Sequence, residues 1–496
     1  MKKLGLLSMV TYLLLITSLL TNCRKDNTLS QTTKTPANIS QPTVPNSFVW
    51  NSMHDYYLWV DQVPNLSAAK FSITDSLNAF LNQYTDPSKL FTDLLYQFGT
   101  IDKWSFIVND STTISNWIAG ISMTAGYDYE LFEVGTTNNL FGVVRYVLKG
   151  SPADLAGIRR GDVFISVNGQ QLTIANYQTL LNSSATLTLS FANIINRVIT
   201  PNGRSVTVTA ITLQENPILL DTVLVVNGAN VGYLVYNGFN SDFDQQLNNV
   251  FKYFKDQGIS KLILDLRYNG GGSIQTAIYL ASMIYGTYTT KDFIKSQYNN
   301  ALQAYYVQTY GAAALLDNFT DNIAATSTTP QTPINTVNMT KVYVITTDNT
   351  ASASELTING LKPYLSLTQV GDTTVGKYVG SVTLQDVDAK GNVNPQDPWT
   401  MQPIIVKVSN SLGVTDYIKG LFPDILVSED ITNLLPFGNP NETMLKAVLN
   451  DIQGLPQKSA AIKYGLIGAR KVADSKDFKP YSKDMYAKRK FPLRLH

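Results

Sequence analysis

The residues of this chain that could do chemistry lie in one short string and at one position downstream of it. Thr350-Ala351-Ser352-Ala353-Ser354-Glu355 places a serine among small residues, between an apolar run and a helix-like segment, and Val375-Gly376-Lys377 follows. A serine hydroxyl is a useful nucleophile only beside a proton acceptor. The chain has two histidines and one cysteine, Cys23. His496 is the last residue, and His54 lies far upstream in an aromatic-rich segment, so lysine is the candidate base. Lysine at its reference pKa of about 10.4 is protonated. To accept a proton it must be buried away from anions, and bringing it to about 7–8 costs roughly 3–5 kcal/mol. Gly376 and Val375 suit a close, dry position for Lys377. Lys362, the rival, falls late in the helix that Ser352 begins, about 15 Å along its axis, which is too far.

The chemistry this predicts is acyl transfer. Ser352 is placed after a strand and a turn, at the start of a helix over 351–361 that Pro363 closes. Amides at a helix start have no intrahelical partner, and the dipole there favours negative charge. The amide of Ala353 and one from the loop Gly270-Gly271-Gly272 are the candidate oxyanion donors, since glycine lets backbone approach a ligand closely. One such donor is typically worth roughly 3–4 kcal/mol. Plainer readings stand beside this one. Ser352 alone reads as an N-cap, Ser354 competes as nucleophile, and Glu355 is either a capping-box carboxylate or an orienting group.

The elements that must position these residues are marked along the chain. Its 496 residues suffice for two or three domains, and 44% apolar with 15% charged content is that of a globular protein. A net charge of +1 leaves no electrostatic footprint for nucleic acid. One cysteine excludes an internal disulfide framework, and no cysteine–histidine cluster is left for structural zinc. No metal or organic cofactor is implied.

Residues 1–22 read as a signal peptide, with Lys2 and Lys3 before an apolar run from Leu4 to Leu20 that is short for a membrane span. Leu20-Thr21-Asn22-Cys23 resembles a bacterial lipobox, with Asn22 where a small residue is usual. Cys23 is then the lipidated first mature residue, and 23–46 is a flexible tether rich in Thr, Ser, Asn and Pro. Arg24-Lys25-Asp26 loosely resembles a tag for export to the outer cell surface. The expected location is the outer membrane, facing the periplasm or the surface.

Residues 47–110 place bulky apolar groups at helical spacing and predict a small helical domain. Residues 111–195 read as short strands plus a helix. Within them Gly150 to Gly169 is specific: Ser151-Pro152 starts a helical turn, Gly157 ends it, Gly161-Asp162 turns into the strand Val163–Val167, and Asn168-Gly169 is a tight turn. This segment resembles a PDZ domain. The resemblance implies capture of an extended peptide tail along a sheet edge, with the carboxylate loop near Gly120-Ile121-Ser122-Met123. Residues 196–455 alternate strands and helices as an α/β core, and 456–496 reads as a basic, mobile tail.

Taken together these motifs resemble the C-terminal processing (tail-specific) serine peptidases, from about residue 47 to 452. Asp265-Leu266-Arg267-Tyr268-Asn269-Gly270-Gly271-Gly272 is similar to that family's glycine loop, and Gly420-Leu421-Phe422-Pro423-Asp424 to its later Gly-x-x-Pro-Asp element. The resemblance implies a multidomain α+β chain with a ClpP/crotonase-like peptidase core. It implies Ser352 as nucleophile, with Lys377, twenty-five residues on, as base. It also implies Gly271 or Gly272 beside Ala353 as oxyanion donors, and protein or peptide tails as substrates. Many members carry a glutamine four residues after the lysine. Here that position is Ser381, an orienting hydroxyl at best. The alternatives are a catalytically silent PDZ lipoprotein that binds proteins at the membrane, and a serine hydrolase of esters or cell-wall amides.

Overall fold

The computed structural model describes residues 40–182, 184–327, 329–456, 468–478 and 481–487. The expected signal peptide, Cys23 and most of the expected tether lie outside them. The described residues from 41 onward belong to one compact unit. Among the described residues no helix is long and apolar enough to cross a membrane.

The helical part starts slightly before its expected boundary, at helix Val44–Tyr56, where the Thr43 hydroxyl caps the Asn46 amide and Pro45 occupies the first turn. Val49, Trp50, Met53 and Tyr57 bury against Leu81, Leu90, Phe91 and Leu94 in a cluster of their own. His54 belongs here. Its ring stacks on Trp50 at 4.8 Å and its Nδ1 meets the Leu66 carbonyl, so it serves the packing of this layer. Strand Phe106–Val108 pairs with Thr400–Gln402 and ties the layer to the core.

The PDZ part is an antiparallel sheet around strands Tyr127–Val134, Leu140–Val147, Val163–Val167 and Thr186–Ile195. Ser151 caps helix Pro152–Leu155. Asn168 and Gly169 both have positive φ, at 51° and 76°, as a type I′ hairpin turn requires. The expected carboxylate loop is corrected. Ile121–Thr124 is a strand, paired antiparallel with Ile211–Gln214 in a separate ribbon. The turn that enters the PDZ edge strand is Ala125-Gly126, and its carbonyls already accept the Ala153 and Leu148 amides.

The core has a six-stranded sheet whose neighbours Ala229–Tyr236, Lys261–Asp265, Lys341–Thr346 and Ser366–Gly371 run parallel. Alternate residues face opposite sides, so Leu262, Leu264, Val342 and Val344 enter one cluster with helices Asp244–Asp256, Ile274–Tyr285 and Ala353–Leu361. Ile263, Tyr343 and Ile345 enter another, with helix Thr443–Ile452. Both faces are covered, which is why these strands read as continuous apolar runs. The glycine loop, the Ser352 turn and the Lys377 loop all leave the carboxyl ends of parallel strands, where open α/β sheets gather their ligands.

The expectation of a mobile tail over 456–496 is corrected for its described parts. Ala469–Asp474 pairs with Tyr127–Val134 and becomes the edge strand of the PDZ sheet. Met485–Tyr486 lies between Gly272–Ser273 and Val379–Ser381, inside the second six-stranded sheet of the core. The basic residues find partners far away in sequence: Arg470 pairs with Glu133, Lys471 with Glu130, and Lys476 donates to the Tyr268 carbonyl.

Candidate active site

Ser352 caps the helix Ala353–Leu361 in a backbone conformation of φ 64° and ψ −115°. For a non-glycine residue this costs of order 1–3 kcal/mol, and such strain gathers at functional sites. The turn that imposes it is held by threonines. Thr350 Oγ1 donates to the Leu266 carbonyl and accepts from the Thr347 amide. The Ala351 amide and the Ser354 hydroxyl both donate to the Asn269 carbonyl, at 3.0 and 3.1 Å. Ser354 is therefore occupied in fastening the Ser352 turn to the glycine loop. The Ser352 hydroxyl is fully buried, and beyond the Glu355 amide of its own capping box it has no hydrogen-bond partner among the described residues.

Glu355 fastens this turn to the lysine loop. Its Oε2 accepts the amides of Ser352 and Lys377 at 2.7 and 2.8 Å, and its Oε1 accepts the Gly376 amide and the Thr374 hydroxyl. Burial pushes its pKa up to about 7 against those four donors, which pull it down. Gly376, at φ 95°, is required where it stands, because a Cβ would meet the Ile418 carbonyl oxygen at 2.5 Å.

Lys377 is fully buried. Burial pushes its pKa below the ordinary value, opposed by Asp484, Asp102 and Glu355. Its ammonium lies 5.3 Å from the centre of the Trp104 ring. Its ion-pair partner is the Asp484 carboxylate of the tail, so the expected site free of anions is corrected. The other Asp484 oxygen accepts the Ser381 hydroxyl at 2.8 Å, and Gln402 donates to that hydroxyl at 3.0 Å. Thus the orienting position held by Ser381 is backed by a buried glutamine from a different strand. Lys362, the rival base, is exposed at the far end of the helix.

The expected oxyanion donors separate. The Gly271 amide donates to the Asn269 side chain at 2.9 Å, within its own loop. The Gly272 amide points the other way and donates to the Asp484 carbonyl at 2.8 Å. A Cβ on Gly271 would stand 2.6 Å from Ser352 Cβ, 2.6 Å from that same carbonyl oxygen and 3.1 Å from the Ala353 amide nitrogen. Ser352, the Ala353 amide and the Gly272 loop thus converge on one point, and the tail backbone crosses it. Among the described residues no acidic, histidine or cysteine cluster could hold a metal ion.

Sequence reasoning missed Asp484, Gln402, Asp102 and Trp104. Gln402 left one trace, a glutamine beside the apolar run Ile404-Ile405-Val406. Asp484 left none.

Comparison with known proteins bears on this arrangement. Residues 230–393 match peptidase family S41, residues 45–106 match the peptidase S41 N-terminal domain, and residues 143–192 match a PDZ domain. The chain belongs to peptidase family S41. It is 23% identical over 343 residues to the carboxyl-terminal-processing protease of Picosynechococcus, aligning 65% of this chain with 72% of that one. It is 22% identical over 354 residues to the protein of the same name from Synechocystis, aligning 67% with 74%. A crystal structure from Bacteroides fragilis assigned to the S41 proteases superposes with a TM-score of 0.64 at 25% identity, over 82% of this chain and 97% of that one. The S41 member has the helical N-terminal domain, PDZ domain and mixed α/β peptidase core that the motifs implied.

Proposed function

We propose that this S41 member is a serine endopeptidase in which Ser352 is the nucleophile and Lys377 the base. The observation that carries the reading is the buried Ser352 hydroxyl at a strained helix start, with no partner beyond its own capping box, clamped through Glu355 to the lysine loop. Ser352 Oγ attacks the scissile carbonyl while its proton passes to neutral Lys377 Nζ. The oxyanion forms against the amides of Ala353 and Gly272. Lys377 returns the proton to the leaving amine, and water then cleaves the acyl–serine bond by the same route. Substrate tails are recruited along the PDZ edge. Cys23 carries the lipid anchor, at the outer membrane.

Ser352→Ala and Lys377→Arg are the tests, assayed on unstructured polypeptide. Removing the hydroxyl abolishes turnover. The arginine does the same, because a guanidinium stays protonated; substantial residual rate in that variant contradicts the assigned base. Replacing Cys23 with serine releases the protein from membrane fractions, and continued binding rules out lipidation as the anchor. The Lys377–Asp484 ion pair favours a second reading, a silent PDZ-containing binder, in which wild type and Ser352→Ala are equally inert toward every polypeptide.

A further inference from the structure

The tail makes two unrelated contacts with one piece of chain. Its first half fills the PDZ edge. Ala469–Asp474 runs antiparallel to Tyr127–Val134, and Ala473 buries in the cluster that holds Leu180 and Leu181. Phe478 packs on Tyr177 with ring centres 6.2 Å apart. This is how an extended peptide adds itself to a PDZ sheet, except that here the chain continues past the end of the edge strand.

Its second half fills the candidate catalytic slot. The Ser482 carbonyl lies 2.0 Å from where a Cβ on Gly270 would stand, and the Asp484 carbonyl takes the Gly272 amide. Met485–Tyr486 is flanked by strands on both sides, and the Ala487 amide donates to the Ser381 carbonyl at 3.0 Å. Ala487 then reaches a cleft of about 590 Å³ whose walls include Ser273, Tyr279 and Gln245. The Gln245 amide nitrogen there is buried without a partner among the described residues. The tail therefore follows the path of a threaded polypeptide, from PDZ edge to slot to an open cleft beyond.

Yet it is held as an occupant that cannot react. Burial lowers the Lys377 pKa, but the Asp484 carboxylate paired with the amine works against that and favours the charged form, which cannot take the Ser352 proton. We propose that residues 468–478 and 481–487 act as an intramolecular inhibitor that occupies the PDZ edge and the catalytic slot together, and that an extended polypeptide competing for the PDZ edge expels it. This rests on the Ser352–Lys377 reading. The coupling comes from linkage. Each half holds the other at high effective concentration, so losing the PDZ half weakens the plug without any new contact.

Two full-length variants test it from opposite ends. Ala473→Arg disrupts only the PDZ half, and Asp484→Ala only the slot half. Turnover of denatured casein rises by about a hundredfold in each, the low end of the scale on which loss of bivalent attachment acts. The groups facing Lys377 are Asp484, Asp102, Glu355 and the Trp104 ring, so removing Asp484 also moves the pH–rate profile to lower pH. Adding Ser352→Ala to either variant abolishes the gain. If wild type turns over casein and neither variant is faster, the inhibitor assignment is overturned while the serine–lysine reading stands. Intact mass showing wild type, but not Ser352→Ala, clipped within 482–487 also overturns it, since the tail is then a substrate. Turnover that survives Ser352→Ala overturns the reading beneath it.

Discussion

Glu355 accepts from four donors with its two oxygens. Glutamine there turns an amide group toward backbone N–H groups and leaves donors unsatisfied, which costs about 1–3 kcal/mol for each buried group. Glu355→Gln is expected to lower both the denaturation midpoint and turnover, because Ser352 and Lys377 lose their common clamp. The acid also sets a pH dependence. Its folded pKa, at about 7, lies above the ordinary 4.5, so the folded state binds the proton more tightly. That contribution is complete below 4.5 and is lost as pH rises through 7. At about 1.4 kcal/mol per unit it amounts to roughly 3 kcal/mol. Urea midpoints at both ends of the window show a fall in wild type that Glu355→Gln lacks. Gly376→Ala is expected to cost at least about 1–3 kcal/mol for its left-handed backbone and to displace Lys377, which thermal unfolding and turnover would both register.

Between elements, the PDZ part and the core share one ionic cluster next to the glycine loop. Arg160 pairs with Glu429 at 2.7 Å and donates to the Tyr268 hydroxyl, while Arg267 pairs with Glu429, Glu442 and Asp265. Burial alone would raise the Glu429 pKa, but Arg160 and Arg267 overcome it and hold the group down at about 2. The sign is opposite to that of Glu355. This stability is present above 4.5 and is lost as pH falls toward 2, by roughly 3 kcal/mol. Breaking a buried pair from one side strands the other charge, so Arg160→Ala is expected to cost about 3–5 kcal/mol. It would also flatten the acid limb of a pH–stability curve, measurable by denaturant titration.

At the scale of the whole chain, what could be read from the sequence was whatever is local. The nucleophile string, the two-sided apolar strands and the Ser151-Pro152 to Asn168-Gly169 punctuation each carry their cause within a few residues. The glycine loop was legible as a loop, but not the direction of its amides. That depends on Asn269 claiming the amide of Gly271. The tail was misread because Arg470, Lys471 and Lys476 look like solvated cations until Glu133, Glu130 and Tyr268 arrive from far upstream. Asp484 is 107 residues from the amine it pairs with, and no periodicity or cap announces such a contact.

Pairings spanning 337 residues, such as Arg470 with Glu133, form late and rest on few neighbours. Stability is not uniform in a fold, and an outermost strand laid along an existing edge belongs to its weaker end. Gentle warming or dilute urea should therefore detach these residues while both hydrophobic clusters of the central sheet are intact. A plot of proteolytic rate against urea is expected to climb to a peak and collapse only later, when tyrosine fluorescence reports the loss of the cores. A rate that only declines would mean that this edge strand comes away no earlier than the scaffold it covers.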